Sequence, residues 1–183
     1  MARADNRLTD DEGTFLALLL RVQPATAYQL AKIYADSPVS NFGTSKGKIY
    51  PLVQRLETRG LLKRRAVSGD ARGSERLECT ARGRTAVHAW AMEIKPSHFL
   101  LDDPLRTKLQ SFDLLSRDEQ LEWIAGAKSG LMQKLEELDA YGREVTVPFK
   151  DLVHDNAVSS LRSRLDWLDR LLVQVVRNKP HKN

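Results

Sequence analysis

The sequence predicts a mainly α-helical protein with one small β-hairpin, divided into two units of different kind. Three features of the chain support this fold class. Capping residues precede amphipathic apolar patterns at several places, which predicts helices. Two short segments, LLKRRAV and ERLECT, flank a polar turn that contains glycine, which predicts the hairpin. In the second half of the chain, apolar residues recur at alternating spacings of 3 and 4, as in helices that pack in pairs.

The first unit begins with two short helices. Thr9 and Glu12 match a capping box before the apolar run FLALLL, so we expect a first helix from about Asp10 to Val22. Thr26 can cap a second helix, AYQLAKIYA, which must end before Pro38 because the residue that precedes a proline avoids helical angles.

A third helix and the hairpin complete this unit. Thr44 or Ser45 can cap the helix, and Gly60 supplies its C-terminal stop. After the hairpin, Thr80 can cap a fourth helix that continues to about residue 95, before Pro96. The order of three helices, a hairpin and a helix is that of a winged helix-turn-helix, in which the third helix enters a major groove and the hairpin forms the wing.

We therefore predict a winged helix-turn-helix DNA-binding domain over residues 1–96 and a C-terminal α-helical, coiled-coil-like dimerisation domain over residues 97–183. In the second domain, a short helix opens at Asp103-Pro104 and continues to about Phe112. Two long helices follow, from the capping box at Ser116 to about Gly142 and from about 151 to 177. The seam residues that we expect to hold two chains together are Leu121, Ile124, Leu131, Leu135, Val158, Leu161, Leu165, Leu168, Leu172 and Val175.

The alternative is that the two long helices pack on each other within one chain and bury both seams. A second apolar flank formed by Trp167, Leu171 and Val176 would then stay exposed, and large apolar patches are rarely left open. We therefore favour a homodimer, since most regulatory oligomers are twofold dimers.

The excess positive charge lies in one part of the chain. Residues 41–84 contain 11 Lys and Arg against 4 acidic residues, a net charge of +7, whereas the remainder has a net charge of −2. A charged run can be an ordinary solvated face, but a basic segment in a slightly acidic chain is typical of a phosphate-binding surface.

Other classes of protein lack support in the sequence. The longest apolar run is too short to span a bilayer, and the N-terminus has acids where a signal peptide would be apolar, so we expect a cytoplasmic protein without a membrane partner. Cys79 is the only cysteine, which excludes an intrachain disulfide, and we expect it to be a small buried residue. The 4 histidines are dispersed, and no nucleophile elbow, phosphate loop or dinucleotide fingerprint occurs, so we expect no enzyme, metal or cofactor.

The third helix has an unusual outer face. Its inner stripe is Ile49, Leu52, Val53 and Leu56, and the opposite face contains Gly47, Tyr50, Pro51, Gln54 and Thr58, with Lys48 and Arg55 beside it. Pro51 cannot donate to the carbonyl of Gly47, and Gly47 lets another backbone come close. Open amides at a helix start favour phosphate. The alternative is that these two residues only fix the geometry between loop and helix.

The segment GKIYPLVQRLETRGLL closely resembles the signature of the PadR family of bacterial transcriptional regulators, in which G-x-I-Y-P is followed by four residues and L-E-x-x-G-L. The segment CTARGR is similar to the end of that family's wing, and LALLL with ATAYQLAK is similar to its first two helices. The segment DPLRTKLQSFDLLSRDEQLEW resembles the longer C-terminal domain of one subfamily. The resemblance implies a homodimer with two winged helix-turn-helix units, held by its C-terminal helices, that binds a pseudo-palindromic operator in double-stranded DNA and usually represses transcription.

Each side chain of the third helix then has an expected role. We expect Ser45, Lys46 and Lys48 to contact phosphates, whereas Tyr50 and Gln54 reach base edges or sugar. Phosphate contacts position such a protein on DNA, and base contacts specify the sequence.

The wing and the second helix supply the remaining candidates. Arg72 lies at the wing turn, and one of Arg64 and Arg65 on its stem must point away from DNA, because neighbouring residues of a strand face opposite sides. Tyr28 matches a tyrosine that lies near the DNA backbone in the family; the alternative is a packed aromatic. The predicted DNA-binding residues are Tyr28, Ser45, Lys46, Gly47, Lys48, Tyr50, Gln54, Arg55, Arg64, Arg65 and Arg72.

Two further alternatives concern partners. Members of a shorter subfamily bind planar aromatic molecules between subunits, so Trp90, which shares a helical face with Ala86, Val87 and Ile94, is a candidate effector contact. Packing in the core or at a dimer interface is the favoured interpretation of this tryptophan. A helical adaptor that binds proteins and uses its basic face only incidentally would show no preference between DNA fragments.

Overall fold

The computed structural model describes residues 7–38, 45–66, 75–100 and 102–177. Its α-helices are α1 (Asp10–Val22), α2 (Ala27–Asp36), α3 (Lys46–Thr58), α4 (Ala81–Met92), α5 (Pro104–Leu109), α6 (Arg117–Glu144) and α7 (Lys150–Arg177), and its strands are β1 (Leu62–Ala66) and β2 (Glu75–Cys79). Short 3-10 turns occur at Pro96–Phe99 and Phe112–Leu114. The predicted fold class, mainly helical with a small hairpin, is confirmed.

The chain divides into two compact units, Met1–Phe99 and Leu100–Asn183. The first unit contains α1 to α4 and the hairpin, in the order of a winged helix-turn-helix. Its core combines the apolar stripes of these elements around Phe15, Leu16 and Leu30. In the described residues, the helices lack the length and apolar character needed to cross a membrane.

Local capping signals fix where the helices begin. At α1, the hydroxyl of Thr9 accepts from the amide of Glu12 at 3.2 Å, and the carboxylate of Glu12 accepts from the amide of Thr9 at 3.1 Å. Thr26 and Gln29 form the same reciprocal pair at α2. The predicted first and last residues of α1 are both confirmed. The exchange of hydrogen bonds fixes the start of the helix, because it satisfies amides that the helix itself leaves unpaired.

Two predicted helix ends are wrong. Helix α4 ends at Met92 and not near residue 95, because Glu93 is extended and pairs with Arg7 at 2.6 Å while Lys95 turns back to Asp10 at 2.9 Å. Helix α5 ends at Leu109, before the buried ring of Phe112, which packs edge-on against Trp123 at 5.1 Å.

The hairpin has an antiparallel register that pairs Leu62 with Cys79 and Arg64 with Leu77. Residues 62, 64, 77 and 79 therefore share one face, on which Leu62 and Leu77 are buried in the core. Ala25 extends this sheet by an isolated bridge in which it exchanges both backbone hydrogen bonds with Leu77. The sequence analysis did not identify this bridge.

The ends of α3 and β2 meet at the start of α4. The carbonyl of Leu61 accepts from the amide of Thr80 at 3.0 Å, and the hydroxyl of Thr80 donates to the carbonyl of Gly60 at 2.7 Å. The same hydroxyl accepts from the amide of Gly83 and so caps α4. Gly60 has a φ of +69°, which ends α3 in the left-handed region that favours glycine. Cys79, predicted to be buried, is half-buried beside this junction, and burial raises the pKa of its thiol.

In the second unit, α6 and α7 pack on each other. The predicted seam residues Ile124, Leu131, Val158, Leu168 and Val175 are buried within the single chain, and Leu121, Leu135, Leu161, Leu165 and Leu172 are half-buried. On the second flank, Trp167 and Leu171 are also half-buried, while Val176 is 53% exposed. The burial of the seams therefore needs no second chain, and dimerisation stays a prediction.

Substitution of Gly83 tests the junction. A Cβ atom at Gly83 would lie 2.0 Å from the carbonyl oxygen of Leu61, so Gly83→Ala must displace backbone. We expect it to lower the free energy of unfolding by about 1–3 kcal/mol. Thermal and chemical unfolding, followed by circular dichroism, would measure the change.

The matched control is Gly47→Ala in the same unit, because no described heavy atom lies within 4 Å of the Cβ position of Gly47. It should leave the stability unchanged or raise it by up to about 1 kcal/mol, since alanine favours a helix. Equal stability of the two variants would contradict the role assigned to Gly83.

Candidate nucleic-acid interface

Helix α3 presents two chemically different faces. Ile49, Leu52, Val53 and Leu56 are buried in the core, as predicted. The predicted outer-face residues are exposed, namely Gly47, Lys48, Tyr50, Pro51, Gln54, Arg55 and Thr58. Neither Gly47 nor Pro51 therefore serves the core, and the outer face combines a cation, a phenol and an amide on a rigid helix.

The start of α3 is open. Ser45 is its N-cap residue, but the side chain of Ser45 makes no capping hydrogen bond. The carbonyl of Ser45 accepts from the amides of Lys48 and Ile49 at 2.9 and 3.0 Å, so the first turn is formed even though Pro51 cannot donate to Gly47. The exposed Ser45 and Gly47 leave the helix start accessible to an anion. The side chain of Lys46 lies outside the described residues.

Tyr28 lies beside Tyr50. Tyr28 is 72% exposed and Tyr50 is 52% exposed, so the alternative of a packed aromatic at Tyr28 is wrong. Both tyrosines border a cleft of about 430 Å³ between α2, α3 and the hairpin, and an adjoining apolar cleft of about 310 Å³. Of the predicted candidates, Tyr28 on α2 and Tyr50 on α3 therefore share one surface.

The two arginines on the wing stem face opposite sides, as the strand geometry requires. Arg64 lies on the inner face, with its Nε 2.8 Å from Glu57 Oε2 and its Nη1 2.8 Å from Glu75 Oε2. The hydrogen bond to Glu75, together with the charges of Glu57 and Glu75, raises the pKa of Arg64. Arg65 lies on the outer face, where its Nε is 3.2 Å from Glu78. The predicted contact Arg72 lies outside the described residues.

A buried carboxylate joins α1 to α3. Glu12 is buried, and its Oε2 accepts from Arg59 Nη1 at 2.8 Å, while Arg55 Nε lies 3.7 Å from Glu12 Oε1. Arg59 also donates to the carbonyl of Arg7 at 2.7 Å. Arg55, which we predicted as a DNA contact, therefore has its guanidinium near a carboxylate of its own chain. The capping-box motif by itself did not predict this contact between Glu12 and Arg59.

Trp90 packs against α1. A Cβ atom at Gly13 would lie 2.3 Å from the indole, and Trp90 Nε1 donates to Asp10 Oδ1 at 3.0 Å. The Lys95 ammonium, followed by the Trp90 hydrogen bond, lowers the pKa of Asp10. Ile94 lies beyond the end of α4 and is 75% exposed, so the prediction that it shares a helical face with Trp90 is wrong. These contacts support core packing as the role of this tryptophan.

Replacement of Glu12 tests the link between α1 and α3. Glu12→Ala removes the acceptor for the Thr9 amide and the carboxylate that Arg59 contacts. We expect a loss of about 2–3 kcal/mol in the free energy of unfolding, because hydrogen bonds to charged groups contribute more than neutral ones. Asp11→Ala is the control, since Asp11 is an exposed acid in the same helical turn. A loss of equal size in both variants would mean that only the charge of the first turn matters.

No protein-family model matches the chain, and no curated protein sequence is similar to it. Solved structures are similar in fold. The crystal structure of Bacillus subtilis PadR in complex with operator DNA has a TM-score of 0.77 at 20% identity, over 90% of this chain and 98% of that chain. A PadR-like transcriptional regulator from Bacillus cereus has a TM-score of 0.72 at 16% identity, over 96% of this chain and 99% of that one.

A third structure, that of the Vibrio cholerae virulence activator AphA, has a TM-score of 0.62 at 16% identity, over 91% of this chain and 98% of that chain. In all three cases the likeness spans both units of this chain. The chain therefore has the fold of the PadR-like transcriptional regulators.

Proposed function

We propose that this chain is a sequence-specific DNA-binding transcriptional regulator that acts as a homodimer on a pseudo-palindromic operator. One observation carries the proposal: the outer face of α3 is exposed, its start is open, and it presents Lys48, Tyr50 and Gln54 together. A single α-helix of this kind fits the major groove of B-form DNA.

The start of α3 suits phosphate. The exposed Gly47 lets the DNA backbone approach the helix, and Lys48 supplies a positive charge in the next position. Helix amides and lysine bind phosphate without regard to base sequence. In the proposal, Ser45, Lys46 and Lys48 therefore position the helix, and Tyr28 on α2 contacts the backbone beside them.

Tyr50 and Gln54 lie one helical turn apart on the same face. A glutamine can donate and accept together, which matches the adenine edge in the major groove. We assign sequence preference to this pair. The neighbour structure in which Bacillus subtilis PadR is in complex with operator DNA has the same fold, and supports DNA as the ligand of this chain.

The homodimer is supported by apolar side chains that the second unit leaves exposed, Met132, Leu152, Val153, Val173 and Val176. A second copy would cover part of this surface, as twofold regulatory dimers do. We further propose that the protein represses, because a dimer that covers an operator excludes other proteins from that DNA. It would do so in the bacterial cytoplasm, where the chromosome lies.

The first test is selection. A duplex enriched by the protein from a random-sequence pool and a shuffled duplex of the same composition are compared by fluorescence anisotropy at two salt concentrations. We expect a preference of about a thousandfold or more for the selected duplex, at one dimer per site. Equal binding to both duplexes would contradict a sequence-specific regulator and favour a helical adaptor with an incidental basic face.

The second test separates the two groups of residues on α3. Lys48→Ala should weaken binding to both duplexes about equally and lower the salt dependence by about one unit of slope, because one phosphate contact is lost. Gln54→Ala should cost roughly 1–3 kcal/mol on the selected duplex only. Equal loss on both duplexes for Gln54→Ala would refute its role in base recognition.

A further inference from the structure

Arg64 connects three elements of the first unit. From β1, its guanidinium contacts Glu57 near the end of α3 and Glu75 at the start of β2, each at 2.8 Å. Glu57 and Gln54 are one turn apart on α3. The guanidinium therefore ties the hairpin stem to the helix that presents Tyr50 and Gln54.

The position of Arg64 differs from that of a phosphate contact. Arg64 and Glu75 line the cleft that Tyr28 and Tyr50 border, and its side chain is 30% exposed. It shares the inner face of the hairpin with Leu62 and Leu77, whereas Arg65 lies on the outer face. Its Nη1 donates to Glu75, and its buried Nε lies 2.8 Å from Glu57 Oε2 without forming a hydrogen bond.

The local charge also argues against a phosphate contact. Arg64 carries one positive charge, and Glu57 and Glu75 carry two negative charges, so the three groups together are negative. These three groups by themselves therefore offer phosphate no net positive charge. A planar guanidinium with several N–H groups is instead suited to contact two carboxylates in fixed geometry.

We propose that Arg64 is a positioning residue, which holds the wing stem at a fixed angle to α3 and so sets how α3 and the wing meet DNA together. This inference rests on the proposed function. Arg64 contacts no phosphate in this role; it acts through Glu57 and Glu75.

This role predicts that removing a carboxylate changes DNA binding in the direction opposite to the one expected from charge alone. Removing a carboxylate near DNA should tighten binding if only charge matters, because phosphates are then repelled less. Glu75→Gln should instead weaken binding to the selected duplex if the ion pair positions the wing. Glu78→Gln is the matched control, because Glu78 is the acid that pairs with Lys63 and Arg65 on the outer face of the same strands.

The experiment measures anisotropy binding of the full chain to the selected and shuffled duplexes across salt. We expect Arg64→Met to weaken binding to the selected duplex by about tenfold, the size of a typical coupling between contacting residues, with an unchanged salt slope. Arg64→Lys keeps the charge but cannot hold both carboxylates in the same fork, so it should show most of this loss. The double variant Arg64→Met with Glu75→Gln should bind the selected duplex no more weakly than Arg64→Met alone.

Several outcomes overturn the inference. A salt slope lowered by about one in Arg64→Met, with full binding in Arg64→Lys, would show a phosphate contact. Tighter binding of Glu75→Gln to both duplexes would show that charge alone matters. Melting curves identify a variant that fails to fold, and Arg64→Lys and Glu75→Gln then decide the outcome. If the wild type itself prefers no duplex, the proposed function fails and the inference fails with it, whereas a discriminating wild type with unaffected variants overturns the inference alone.

Discussion

The carbonyl oxygen of Leu61 is the point on which the first unit depends. It accepts from the amide of Thr80 at 3.0 Å, and it lies so close to Gly83 that a Cβ atom there would be 2.0 Å away. Helix α3 has just ended, β1 begins at the next residue, and α4 starts one residue after Thr80. Because three elements leave this small region, a displacement of one backbone atom would change the direction of α3, the wing stem and α4 together.

Ion pairs then fix α3 against its neighbours and determine which cations face outward. Glu12 holds Arg59 and lies near Arg55, while Arg64 is held by Glu57 and Glu75. In the described ranges 45–66 and 75–84, much of the positive charge predicted from composition is thus matched by acids of the same unit. The number of charges along a chain indicates that a basic surface exists. The ion pairs of the folded structure determine which part of that surface is left to bind phosphate. In the proposed function, that part is the open start of α3.

Local signals explain what the sequence could predict. The bounds of α1, the capping of α2 and the inner and outer faces of α3 all follow from residues within four positions of one another. The bridge from Ala25 to Leu77, the pairing of Arg64 and the early end of α4 depend on residues far apart in the chain, which no periodicity encodes. Tyr28 shows the same limit, because a helix pattern identifies an aromatic position without determining whether a neighbouring element covers it.

The long helices show that a heptad-like seam predicts helix packing but does not identify the helix that packs on it. A heptad-like pattern requires an apolar surface opposite it, and α7 supplies that surface to α6 within one chain. In the proposed dimer, side chains outside the two seams, such as Met132, Val173 and Val176, which the chain leaves exposed, would join the half-buried seam residues at the interface. Binding of two half-sites would then contribute to the stability of the dimer on DNA, because each unit bound to its half-site raises the effective concentration of the other.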